Sequence, residues 1–172
     1  MTVIVGIPIP SSSPYFLAGV AVHVAFGLTC VACGAVAMLS SKRPGRHPTA
    51  GSLYVWALSG VFLTASSLAL ARWREDRVLF FLAALSFGLA IVGRQARRRA
   101  WRDWPRWHMS GMGLSYIVML TAFYVDNGKI LPVWRDLPPL TYWLAPGLVG
   151  LPILAIAFFR HPLVSSRPSL RS

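Results

Sequence analysis

The sequence predicts an all-α fold, a polytopic membrane helical bundle of five transmembrane helices with the N-terminus outside and the C-terminus inside. Three observations predict it. Hydrophobic residues make up 55% of the 172 positions and charged residues 13%, with a mean hydropathy of +0.57, against about a quarter charged in soluble domains. The charges gather into short clusters between long uncharged runs, and apolar runs of about 18 or more residues are what a helix needs to cross hydrocarbon. The clusters alternate between strongly basic and near neutral, as loops on opposite sides of a bilayer do.

The first span, residues 15–39, contains no Lys, Arg, Asp or Glu. No basic segment precedes it, and it is long for the core of a cleavable signal, so it reads as a retained helix. Before it, Pro8, Pro10, Pro14 and three serines suggest an irregular external strand or cap. The second span is 53–71. The third, 78–93, would be only about 24 Å long at 1.5 Å per residue, enough if Arg77 and Arg94 snorkel to the interfaces. The fourth is 107–125. The fifth, 140–159, carries Pro146 and Pro152, which a membrane helix tolerates with a kink.

Loop charges set the orientation. The tail before Tyr15 has none; Lys42, Arg43 and Arg46 give the first loop +3, and Arg72, Arg74, Glu75, Asp76 and Arg77 leave the second at +1. Arg94, Arg97, Arg98, Arg99, Arg102, Asp103 and Arg106 give the third +5, the fourth is neutral, and Arg160, Arg167 and Arg171 make the C-terminal tail +3. Basic loops stay cytoplasmic, so the first and third loops and the C-terminus lie inside. In a soluble protein the net +12 would point to nucleic acid. Here the partner is lipid: Arg94, Arg97, Arg98 and Arg99 meet anionic inner-leaflet headgroups, with Trp101, Trp104 and Trp107 in the interfacial belt and no nucleic acid. A bacterial inner membrane fits this pattern.

An imidazole at membrane depth is a functional hypothesis, since ionised groups are expensive there. His23 lies about 12 Å into the first helix and shares a stripe with Gly19, Gly27, Cys30 and Gly34. Small residues favour close packing, so His23 should face the bundle. Counting equal depth from the other outer ends reaches Thr64, Ser86, and Ser115 to Met119 with Tyr116. The other histidines fall at the inner interface: His47 in the first loop, His108 just inside the fourth helix and His161 past the fifth. Converging imidazoles suit a metal or haem iron, although solvated interfacial histidines are common. His47 and His108 are the better pair, His161 the weaker candidate, and Met112 or Met119 would be a second ligand or core filler. Cys30-Val-Ala-Cys33 falls near mid-bilayer, where thiolates are disfavoured, and reads as helix packing.

No phosphate loop, nucleophile elbow, zinc-protease motif or intramembrane carboxylate pair is present. Asn127-Gly128, Pro132 and Pro138-Pro139 suggest an ordered outer cap, with Asp126 held by Tyr15, Arg135 or the loop backbone.

His23, Arg46-His47-Pro-Thr-Ala-Gly51-Ser-Leu-Tyr54, Trp107-His108-Met-Ser-Gly-Met112 and the segment from Met119 to Pro132 resemble a bacterial family of small integral membrane proteins. That family is a domain of unknown function with a His-Arg-x-x-Gly-Arg-x-Tyr type signature. The resemblance covers residues 23–152 and implies fold and membrane location, not activity. Pro48 and Ser52 stand where the pattern has arginines, which puts any anion contact of the relatives in doubt here.

Three function classes follow. The first is a redox or cofactor-binding membrane protein holding haem b or meeting quinone, with His23, His47, His108, Met119 and Tyr116 as candidate cofactor residues. The second is a small permease or transporter component using the polar layer around His23. The third is a non-catalytic subunit or assembly factor, for which small-residue seams would serve a homo-oligomer or a membrane partner subunit.

Overall fold

The computed structural model describes residues 2–4, 7–9, 14–41 and 44–160. A two-stranded antiparallel hairpin, β1 (Thr2–Ile4) and β2 (Ile7–Ile9), pairs Thr2 with Ile9 and Ile4 with Ile7. Five long helices follow: α1 (Pro14–Leu39), α2 (Arg46–Ala71), α3 (Trp73–Arg98), α4 (Trp104–Asn127) and α5 (Pro139–Arg160). All five are long and apolar enough to cross a membrane.

Helices and apolar spans differ in extent. α3 has 26 residues rather than the expected sixteen, because its flanking charges sit where a helix favours them. Glu75 and Asp76 occupy the first turn and Arg97 and Arg98 the last, each complementing the helix dipole. Likewise α2 starts at Arg46 rather than Leu53, with Pro48 in its first turn, where a missing N–H costs nothing. Gly45, at φ 116°, makes the entry turn that a side chain would strain. His47 is therefore a helix residue, not a loop residue. Glu75, Asp76 and Asp126 are also helical rather than in loops. α5 runs through both Pro146 and Pro152.

The first four helices form a ring in chain order. α1 packs along α2, α2 along α3 and α3 along α4; α5 lies on the far side of α4, and α1 meets α4 only briefly. No Cα of α2 comes within 8 Å of one in α4, so these two face each other across the bundle axis. The core is small: Cys30, Tyr54, Leu58, Ser86 and Ser115 are almost wholly buried, with alanines between them. Leu28, Leu63, Phe81, Leu148, Val149 and Phe159 point outward, presenting the apolar surface that a multi-pass protein gives to lipid.

Candidate two-histidine site at one end of the bundle

Four helix ends converge on two imidazoles. His47, in the first turn of α2, has Nδ1 2.8 Å from the carbonyl of Ala37 in α1. His108, a turn into α4, has Nδ1 3.0 Å from the carbonyl of Gly93 in α3. The rings are 6.4 Å apart, centroid to centroid, and nearly perpendicular at 87°.

A carbonyl oxygen only accepts, so each Nδ1 carries the proton and donates it. In the neutral ring Nε2 is then the lone-pair nitrogen. That tautomer is the one metal-binding histidines adopt, with the far ring nitrogen fixed by a backbone carbonyl.

The Gly93 carbonyl reaches His108 because α3 and α4 touch backbone to backbone. A Cβ on Gly111 would stand 2.7 Å from the Leu89 carbonyl oxygen, and one on Gly93 would stand 2.9 Å from the Met112 nitrogen. Only glycine fits at such a crossing. Trp104 flanks His108 at 6.4 Å, and the Arg97 guanidinium lies 5.8 Å over the Trp104 ring.

Seven residues further along each helix lies a second polar layer, about 10 Å deeper. Tyr54 follows His47 and Ser115 follows His108 at the same interval, and their hydroxyls are 2.7 Å apart across the axis. Ser86 of α3 donates to the Ser115 carbonyl at 2.9 Å and lies 3.3 Å from its hydroxyl. Cys30 of α1 donates through Sγ to the Tyr54 carbonyl at 3.8 Å. Both cysteines are free thiols, consistent with packing rather than disulfide chemistry.

The remaining candidates separate from this pair. His23 has Nδ1 2.8 Å from the Thr64 hydroxyl, which itself donates to the Gly60 carbonyl at 2.7 Å. Thr64 therefore accepts, and His23 donates. Thr64 lies seventeen residues beyond His47 on α2, about 25 Å of helix, so His23 does not share the two-histidine site. Nor does the expected single layer at its depth assemble. Tyr116 donates to the Val31 carbonyl at 3.0 Å and covers Gly34, roughly 12 Å along α1 from His23. Ser86 and Ser115 belong to the Tyr54 layer. Met119 packs in the core with Tyr54 and Leu58, about 16 Å along α4 from His108 and out of reach as a ligand beside it. Met112, at i+4 from His108 on the same helix face, is the nearer thioether. His161 lies outside the described residues.

At the opposite end the cap is ordered. The Trp134 ring lies 4.2 Å from that of Tyr124, tilted by 31°, and Tyr142 donates to the carbonyls of Trp134 at 3.0 Å and Leu137 at 3.3 Å. Asp126 is held by Asn127 at 3.3 Å rather than by Tyr15 or Arg135. It borders a shallow depression of about 370 Å³ with Glu75, Asp76, Lys129 and Trp143.

Among the described residues no three His, Cys, Asp or Glu side chains come together as a metal site. No family model, curated protein or solved structure matches this chain.

Proposed function

We propose that this chain is a membrane redox protein in which His47 and His108 ligate one cofactor, haem b, at the cytoplasmic end of the bundle. The carrying observation is the ring pair itself, 6.4 Å apart with each Nδ1 committed to a helix carbonyl. Imidazoles on opposite sides of a metal have centroids about 6.3 Å apart, from bonds of about 2.0 Å plus the ring radius, whereas tetrahedral neighbours come to about 5 Å. The 6.4 Å separation is that of two imidazoles that could hold one metal between them.

Charge supports the same choice. The nearby donors are neutral, two imidazoles and the Met112 thioether, and among the described residues no clustered carboxylates are there to balance a bare divalent ion. An unbalanced ion in a low-dielectric setting is costly. Haem iron brings its own dianionic macrocycle, and when bound it supplies one-electron chemistry. The protein's part is to fix the two ring planes and tautomers and to hold the site between apolar helices. A quinone dissolved in the bilayer is the electron partner in this reading.

The basic loops favour a cytoplasmic position for this end and a bacterial inner membrane as location. The residues quoted above support membership of the family of unknown function that they resemble.

The test is a dithionite-reduced minus oxidised absorption spectrum, with metal analysis, on protein made with a haem precursor and purified in mild detergent. The expected result is a stoichiometric b-type band that is lost in His47→Ala and His108→Ala and kept in His23→Ala. Folded wild-type protein with a flat visible spectrum overturns the proposal. Copper in place of iron would instead assign the same pair to a soft monovalent ion, a role in which Met112 fits.

A further inference from the structure

We propose that the turn between α3 and α4 is a seat for one acidic glycerophospholipid, its phosphate held by Arg106 and Ser110. This inference is independent of the histidine pair and rests on the chain being membrane-embedded.

The turn is a folded unit. Ala100 at φ 47° and Asp103 at φ 58° reverse the chain, and the Trp101 and Trp104 amides donate to Ala96 at 3.0 Å and Trp101 at 2.9 Å. Arg97, Arg98, Arg99, Arg102 and Arg106 are exposed around it. Arg97, Arg98, Arg99 and Arg102 form no ion pair among the described residues, where the two ion pairs are Arg72–Asp76 and Arg135–Asp136. So much like charge on one rigid turn repels itself, and an anionic surface relieves that repulsion, at a gain of about fivefold in affinity per arginine.

A pattern of charge alone would describe any cytoplasmic loop. This turn also has a depression of about 350 Å³ lined by Asp103, Arg106, Trp107 and Ser110. These residues fall at i, i+3, i+4 and i+7, one face of α4. Arg106 offers a planar donor fork to phosphate oxygens, and the Ser110 hydroxyl can donate beside it. Trp107 is half-exposed and meets Trp101 edge-on at 6.3 Å, forming an amphipathic wall at ester level.

Asp103 selects the headgroup. A carboxylate only accepts, so a ligand hydroxyl can donate to it. Glycerol hydroxyls do so without adding positive charge, whereas an ammonium headgroup would bring a cation into a ring of arginines. Phosphatidylglycerol offers a phosphate to Arg106 and Ser110 and hydroxyls to Asp103. Phosphatidylethanolamine meets Asp103 but not the surplus charge.

The experiment uses native mass spectrometry of the detergent-purified full chain after titration with phosphatidylglycerol, phosphatidylethanolamine or phosphatidylcholine. The expected result is a single retained phosphatidylglycerol, with at least fivefold weaker retention in Arg106→Gln and unchanged retention in Arg135→Gln of the opposite loop. Ser110→Ala, which keeps every charge, provides a second variant if Arg106→Gln does not fold, and should also weaken phosphatidylglycerol retention. Equal retention of the three lipids overturns the proposal. So does unchanged lipid retention in both variants, or displacement of the lipid by inorganic phosphate at equal concentration.

Discussion

Tyr54 is one of the most buried large side chains in the bundle, and its hydroxyl meets another hydroxyl from the helix diagonally opposite. Each of the two groups would be left without that partner if the other were removed. Interhelical hydrogen bonds in membrane proteins are worth about 0.6 kcal/mol on average and up to about 1.7. Tyr54→Phe and Ser115→Ala should each lower thermal stability in detergent, and the double variant should cost less than their sum. Full additivity in that cycle would show that the contact contributes nothing of its own. At this scale the sequence was partly legible. Thr64 can be paired with His23 because α1 and α2 are antiparallel neighbours joined by a short turn, so residue numbers at contact have a nearly constant sum: 23 with 64, 30 with 54, 37 with 47. Tyr116 cannot be placed in that way. Its contact with Val31 sets α4 deeper than its apolar window suggests, and counting outward from it brings Tyr124, not Tyr116, to the level of His23.

Element packing turns on which glycines are crowded and which are not. Gly111→Ala should separate α3 from α4, since its new Cβ would meet the Leu89 carbonyl at 2.7 Å and the Gly93 nitrogen at 2.8 Å. The expected loss is several kelvin of melting temperature, together with weaker retention of the proposed cofactor as the Gly93 carbonyl moves from His108. Gly51→Ala has nothing within 4 Å to meet. It should be neutral, or stabilising by about 0.5–1 kcal/mol through helix propensity. Melting curves of the two variants check both, and equal effects would discount the close crossing. The five helices themselves were legible from apolar runs, but their ends were not. Hydropathy marks the lipid-facing length, whereas the helix continues through Glu75 and Asp76 at one end and Arg97 and Arg98 at the other, where charge stabilises it. α2 likewise extends beyond its apolar run, to Arg46, and this places His47 in the helix, 6.4 Å from the His108 ring. A loop histidine would have no fixed direction.

Considered whole, the molecule is a four-helix ring with a fifth helix outside it and polar contacts in separate storeys. The convergence of His47 with His108 was legible because loop counting places both at one end; their bonds to Ala37 and Gly93 were not, since backbone acceptors leave no trace in residue type. The orientation proposed here has a direct check in single-cysteine variants made without Cys30 and Cys33. A membrane-impermeant maleimide added to intact cells should label Lys129→Cys at the capped end and leave Arg102→Cys untouched until the cells are opened. The reverse pattern would move the histidine pair to the outer side and exclude a cytoplasmic electron route.

Only Arg72 separates the end of α2 from the start of α3. So short a connection makes α2 and α3 a tight helical hairpin. In the orientation proposed above, the two would enter as one hairpin, tip first, carrying Arg72, Arg74, Glu75, Asp76 and Arg77 across together. The tip is suited to that passage, because Asp76 sits 3.8 Å from Arg72 and offsets its charge one helical turn away. In that orientation, replacing Asp76 by a neutral residue would make the translocated tip more positive without touching any residue of the histidine site.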